Sequence, residues 1–125
     1  MSDAPPAILL VDHGSQRPEA NAQLETIASQ LRQREPGRIV HIAHMEILPP
    51  TIAEGIAACV GDGASRVVVH PYLLAPGRHS QEDIPAQCAA ATSAFPGVDV
   101  QISAPLGVHE KILDVVLERV AEVSG

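Results

Sequence analysis

The chain has 125 residues, the length of one domain, with no room for a second core. Hydrophobic residues make up 46% of it and charged residues 18%, which supports a buried core and excludes a disordered segment. Eight Lys+Arg against 15 Asp+Glu give a net charge of −7, with one Phe, one Tyr and no Trp. A nucleic-acid binder would carry a basic footprint and stacking aromatics, so that class is excluded. Met1-Ser2-Asp3-Ala4-Pro5-Pro6 lacks the basic-then-apolar order of a secretory leader, and no apolar run reaches the length of a membrane span. Two cysteines, Cys59 and Cys88, are too few for a disulfide scaffold or a thiolate metal site. A reduced, cytoplasmic setting is expected.

The elements alternate along the chain. Ala7–Asp12 is a continuous apolar run ended by Gly14 and predicts a strand buried on both faces. Pro18–Arg34 carries Leu24, Ile27, Ala28 and Leu31 at helical spacing, and Pro36-Gly37 stops it. Arg38–Glu46 predicts the second strand. Pro49-Pro50-Thr51 breaks the chain and caps a short helix with Ile52, Ile56 and Val60 on one stripe. Ser65–Leu74 predicts the third strand. A loop, Ala75–Ser80, leads into a helix with Ile84, Cys88, Ala91 and Phe95 on one face, ended by Pro96-Gly97. Val98–Ser103 predicts the fourth strand, and His109–Val123 a last helix with Ile112, Leu113, Val116, Leu117 and Val120. The order βαβαβαβα with short connections predicts an α/β fold. Residues 1–125 are expected to form a single domain in which a four-stranded parallel sheet carries helices on both faces.

Ligands of open parallel sheets bind at the carboxyl ends of the strands. Those ends carry Asp12-His13-Gly14-Ser15, His44-Met45-Glu46, Gly77-Arg78-His79-Ser80 and Gly107-Val108-His109. Imidazoles with a carboxylate suit a borderline divalent ion and equally serve as bases. For His109 the reading is a polar rim residue; for His13 and His79 ligand and rim residue weigh evenly. His41 and His70 read as satisfied strand histidines. His44 lies two residues from Glu46 and so on the same strand face. Cys59 and Cys88 read as small core residues. Arg17 and Arg78 would either clamp an acidic ligand or be solvated surface charges.

The stretch His13-Gly14-Ser15-Gln16-Arg17-Pro18-Glu19-Ala20-Asn21 resembles the opening signature of the short sirohydrochlorin chelatases of the CbiX type. Pro71-Tyr72-Leu73-Leu74 with Gly77-Arg78-His79-Ser80-Gln81-Glu82-Asp83-Ile84-Pro85 resembles their second segment. Ala43-His44-Met45-Glu46 with Pro50 resembles the strand end that carries the family glutamate, and Ala104-Pro105-Leu106-Gly107 the start of the last loop. The resemblance implies a chelatase-like domain that inserts cobalt or iron, in some members nickel, into a sirohydrochlorin-type tetrapyrrole in cobalamin or siroheme biosynthesis. It implies His13 and His79 as metal-site and catalytic histidines and Glu46 as the acidic catalytic residue. The metal is a substrate, with no tightly bound cofactor, and short members pair as homodimers. Ser15, Arg17, Arg78 and Ser80 are the expected contacts to the carboxylate-rich macrocycle. His44 stands where the family commonly has an aromatic or aliphatic residue, so it is either an added metal contact or a strand histidine. Two rival classes are a metal-delivery module without tetrapyrrole chemistry and a phosphoryl-transfer enzyme with His13 as nucleophile.

Overall fold

The computed structural model describes residues 4–75 and 77–124, and of Arg78, His79 and Ser80 the backbone alone. The elements are β1 (Ala7–Asp12), α1 (Pro18–Arg34), β2 (Val40–His44), α2 (Ile52–Gly61), β3 (Arg66–Pro71), α3 (Arg78–Thr92), β4 (Asp99–Ile102) and α4 (Glu110–Ser124). The strands form one parallel sheet in the order β2-β1-β3-β4. The predicted class therefore stands. The crossovers from β1 to β2, and then back across to β3, put α1 on one face and α2 with α3 on the other.

β1 lies in the middle of the sheet. Leu9 pairs in register with His41 on one side and Val69 on the other. Leu9 and Val11 belong to the core beneath α2 and α3, with Ala43, Ile56, Val67, Val69, Ile84 and Cys88. Leu10 faces the opposite way, into a smaller cluster with Leu24, Ala28 and Val40 under α1. A strand buried on both faces needs no polar alternation, which is why AILLVD is apolar throughout.

Local chemistry sets the helix ends. Pro18 occupies the first turn of α1, where its missing N–H costs nothing. Thr51 and Glu54 form a reciprocal capping box on α2, with Glu54 N donating to Thr51 Oγ1 at 3.1 Å and Thr51 N to Glu54 Oε1 at 2.8 Å. Gly55 lets α2 lie flat on the sheet: a Cβ there would stand 2.6 Å from Leu9 Cδ1 and 3.1 Å from Ala43 Cβ.

Several boundaries differ from the expectation: β2 starts at Val40 rather than Arg38, and β3 ends at Pro71 rather than Leu74. β2 ends at His44, because the chain turns through residues 45–50, where His44 N donates to the Pro50 carbonyl at 2.8 Å. α3 starts at Arg78, inside the expected loop, and tolerates Pro85 in its interior at the loss of one ladder hydrogen bond. It ends at Thr92, so Phe95 packs against the core from the following turn. The larger difference is α4. Its apolar stripe forms the expected helix but stays largely uncovered: among its described residues none is buried, and Ile112 is half-buried.

Candidate metal and substrate site

Sheet topology fixes the place of the site. β1 and β3 are neighbours, yet the chain leaves β1 toward α1 on one face and β3 toward α3 on the other. A crevice opens at such a reversal, at the carboxyl ends of the two strands. The loop after β1 carries His13, and the first turn after the β3 loop carries His79.

The β1 and β2 ends run on side by side past the last strand residues. Met45 N donates to the Asp12 carbonyl at 2.9 Å and Glu46 N to the His13 carbonyl at 3.2 Å. His13 and Glu46 are thus adjacent, both with exposed side chains. Gly14 makes the approach possible. Its φ is +89°, and a Cβ on it would stand 2.2 Å from the Glu46 carbonyl oxygen and 3.3 Å from His44 Cβ. Its N–H donates to Asp12 Oδ1 at 3.0 Å. Ile47, directly after Glu46, is held at φ 79°, a strained region for a β-branched residue.

Asn21 braces the loop from α1. Its Oδ1 accepts from Ser15 N at 2.9 Å and its Nδ2 donates to the Ser15 carbonyl at 2.7 Å. That double bond explains why serine and asparagine occur six residues apart in this segment. The Ser15 hydroxyl accepts from Arg17 N at 3.0 Å, and the Arg17 side chain is exposed.

His44 does not share a face with Glu46. With the strand ended, alternation no longer governs residue 46; His44 is 2% exposed while Glu46 is exposed. His44 Nδ1 bonds Asp12 Oδ1 at 2.5 Å. One carboxylate therefore holds both His44 and the Gly14 backbone, locking the ends of β1 and β2 together. The other strand histidines are satisfied as expected. His41 Nε2 bonds Asp62 Oδ2 at 2.7 Å, and His70 Nδ1 bonds the Ser103 hydroxyl at 2.8 Å. Burial lowers the His70 pKa below its ordinary value, offset in part by the Ala104 backbone. His109 caps α4, its Nδ1 accepting from Lys111 N at 3.1 Å.

A cavity of about 120 Å³ beside Glu46 is lined by Met45, Asp83 and Gln87. Asp83 adds a second carboxylate to this cavity, one with no expected role in the sequence. The signal was its place one helical turn after His79. Gln87 Nε2 donates to the Met45 carbonyl at 3.4 Å, joining α3 to the β2 end. The side chains of Arg78, His79 and Ser80 lie outside the described residues. Among the described residues no three His, Cys, Asp or Glu side chains cluster as a ready-made metal site.

The four-stranded all-parallel sheet with its helices is the chelatase-like class of α/β fold. The CbiX family model matches residues 7–123, and the chain belongs to that family. It is 45% identical over 113 residues to a chloroplastic sirohydrochlorin ferrochelatase of Arabidopsis thaliana, covering 90% of this chain and 50% of that protein. It is 33% identical over 122 residues to a sirohydrochlorin cobaltochelatase of Methanosarcina acetivorans, covering 92% of this chain and 94% of that one. Among solved structures, the cobalt complex of the sirohydrochlorin chelatase SirB from Bacillus subtilis subspecies spizizenii superposes with a TM-score of 0.86 at 30% identity, covering 96% of this chain and 51% of SirB. The chain thus spans half or less of several chelatase relatives and nearly the whole of others.

Proposed function

We propose that this chain is a sirohydrochlorin chelatase, inserting cobalt or iron, with nickel as a further candidate, in cobalamin or siroheme biosynthesis. The supporting observation is topological. The loop that carries His13 and the first turn of α3 that carries His79 flank the point where the strand order reverses, and the β2 end delivers Glu46 beside His13. The relatives named above act on sirohydrochlorin with iron or cobalt, and SirB has been seen with cobalt and with Fe3+.

Insertion exchanges the metal's waters for four ring nitrogens and releases two pyrrole protons. The metal must be held loosely enough to leave. In this reading His13 and His79 bind it through neutral imidazoles, which release a borderline ion more readily than a closed thiolate set. The same imidazoles accept the pyrrole protons as metal departs. Glu46 assists as a base or orients His13, and Asp83 faces the same cavity. Arg78 and Arg17 counter the ring carboxylates, with Ser15 and Ser80 as hydrogen-bond contacts. Ser15 holds its own loop through Asn21, so its backbone placement serves the site as much as its hydroxyl. The working unit is a cytoplasmic homodimer, because one small rim leaves a wide macrocycle half uncovered.

The test is an anaerobic absorbance assay with sirohydrochlorin and each of Co, Fe and Ni. The proposal expects metal- and enzyme-dependent conversion to the metallated spectrum. Metal binding without conversion would instead make the chain a metal-delivery module.

A further inference from the structure

Outside α4 and the edge strand β4, the large hydrophobic side chains that stand exposed among the described residues are Ile47, Leu74 and Val108. All three lie on loops at the carboxyl end of the sheet, after β2, β3 and β4. Single exposed apolar residues scattered over a surface need no explanation. Confinement to the one rim that carries His13 and Glu46 does.

Ile47 adds a second observation. Leu48 N donates to the Glu46 carbonyl at 3.0 Å, closing a three-residue turn with Ile47, at φ 79°, in its middle. That is the rarer and more strained form of such a turn, and a β-branched residue is poorly suited to its left-handed backbone. Asparagine would sit there at less cost. No core packing offsets the strain, because the Ile47 side chain is 58% exposed. The turn is held from both sides, by Glu46 N on the His13 carbonyl at 3.2 Å and by His44 N on the Pro50 carbonyl at 2.8 Å. Strain that no packing rewards points to a role in the site.

Placement indicates the occupant. Ile47 directly follows Glu46 and lines a cavity of about 270 Å³ with it. β1, which leads into His13, lies between β2 and β3. The strand ends that lead to Ile47 and Leu74 therefore stand about 10 Å apart, with the His13 loop between them. A tetrapyrrole carries its carboxylates on its edge and has apolar faces. Cations suit the edge; a face needs apolar side chains that stay uncovered until the ring arrives.

We propose that Ile47 is a substrate-contact residue: its side chain bears on the face of the tetrapyrrole ring and, with Leu74 across the His13 loop, sets the ring's position over the metal site. This rests on the chelatase reading above and deepens it. The contact acts on binding of the ring, before any metal moves.

The test measures the affinity of Ile47→Asn and Ile47→Leu for metal-free sirohydrochlorin by anaerobic fluorescence titration, then turnover at saturating ring concentration. Loss of an apolar contact of this size is expected to weaken binding by Ile47→Asn about tenfold, with turnover held within about twofold. Ile47→Leu keeps the apolar contact and is expected to bind like the wild type. Ile47→Asn is also expected to melt no lower than the wild type, because asparagine tolerates the left-handed backbone. Undiminished affinity in Ile47→Asn overturns the contact, and so does an equal loss in Ile47→Leu. Lost turnover with unchanged affinity would make Ile47 a brace for Glu46, and a lower melting temperature would make it a support of the fold; either result overturns the contact. So does a changed oligomeric state by light scattering, which would place Ile47 between two copies of the chain. If the wild type binds sirohydrochlorin without inserting metal, the chelatase reading falls and the affinity of Ile47→Asn still decides the contact. If it binds none, both fall.

Discussion

Replacing Gly14 with alanine tests how the site is assembled. Gly14 sits at φ +89°, and a Cβ there would meet the Glu46 carbonyl oxygen at 2.2 Å. Left-handed backbone costs a residue with a Cβ about 1–2 kcal/mol. Relieving the contact requires the β2 end to move by about 1 Å, and such overpacking adds about 1–3 kcal/mol. The sum is about 2–5 kcal/mol. Gly63 provides the control: its φ is +105°, but nothing lies within 4 Å of its would-be Cβ. Gly63→Ala therefore carries the backbone cost alone. At about 4 °C per kcal/mol for a domain of this size, thermal unfolding should fall by about 4–8 °C for Gly63→Ala and about 8–20 °C for Gly14→Ala. Gly14→Ala should also slow insertion by about 100-fold, the cost of a misplacement near 1 Å, because His13 and Glu46 meet across this contact. Gly63→Ala should leave insertion unchanged. Equal melting losses in the two variants would refute the reasoning, as would full activity in Gly14→Ala.

Other outcomes follow from buried groups. His44→Phe removes the bond to Asp12 and should cost about 1–3 kcal/mol in urea unfolding, with relative rates among Co, Fe and Ni unchanged, because His44 faces Asp12 rather than the open rim. A changed metal profile would make His44 a ligand. Cys59 and Cys88, pushed up to about 11 by burial, should resist iodoacetamide at pH 8 until the protein is unfolded; labelling of the folded protein would contradict their packing. His70 has a folded pKa lowered by burial, so below about pH 6.5 the unfolded chain takes up its proton first. Stability should therefore fall with pH from that point, and less steeply in His70→Gln. Equal slopes in urea titrations would show that His70 is not desolvated.

The sheet was legible because its signals are local. AILLVD reads as a strand buried on both faces, and Pro18, Pro36-Gly37 and Thr51 mark helix ends where backbone chemistry demands them. Cys59 and Cys88 lie in the core as their stripes predicted. His44 was harder. Its distance of two residues from Glu46 implied a shared face only if the strand continued, and a hydrogen bond to Pro50 ends it at His44. Its bond to Asp12 joins residues 32 apart, a pairing set by the β1–β2 register and absent from any local pattern. α3 begins early because a helix can start on residues, such as Arg78 and His79, that carry no apolar periodicity. The α4 stripe shows a further limit: periodicity says that a helix has a face to bury, not against what.

The central claim is that His13, on the loop after β1, and His79, in the first turn of α3 after β3, work as one metal-handling pair. Steady-state metal insertion into sirohydrochlorin by His13→Ala, His79→Ala and the double variant tests it most directly, with circular dichroism as the folding control. The account predicts that each single change removes most activity in a folded protein and that the double variant is little worse than either, because residues acting as a unit are not additive. A folded His79→Ala protein with wild-type activity would contradict it.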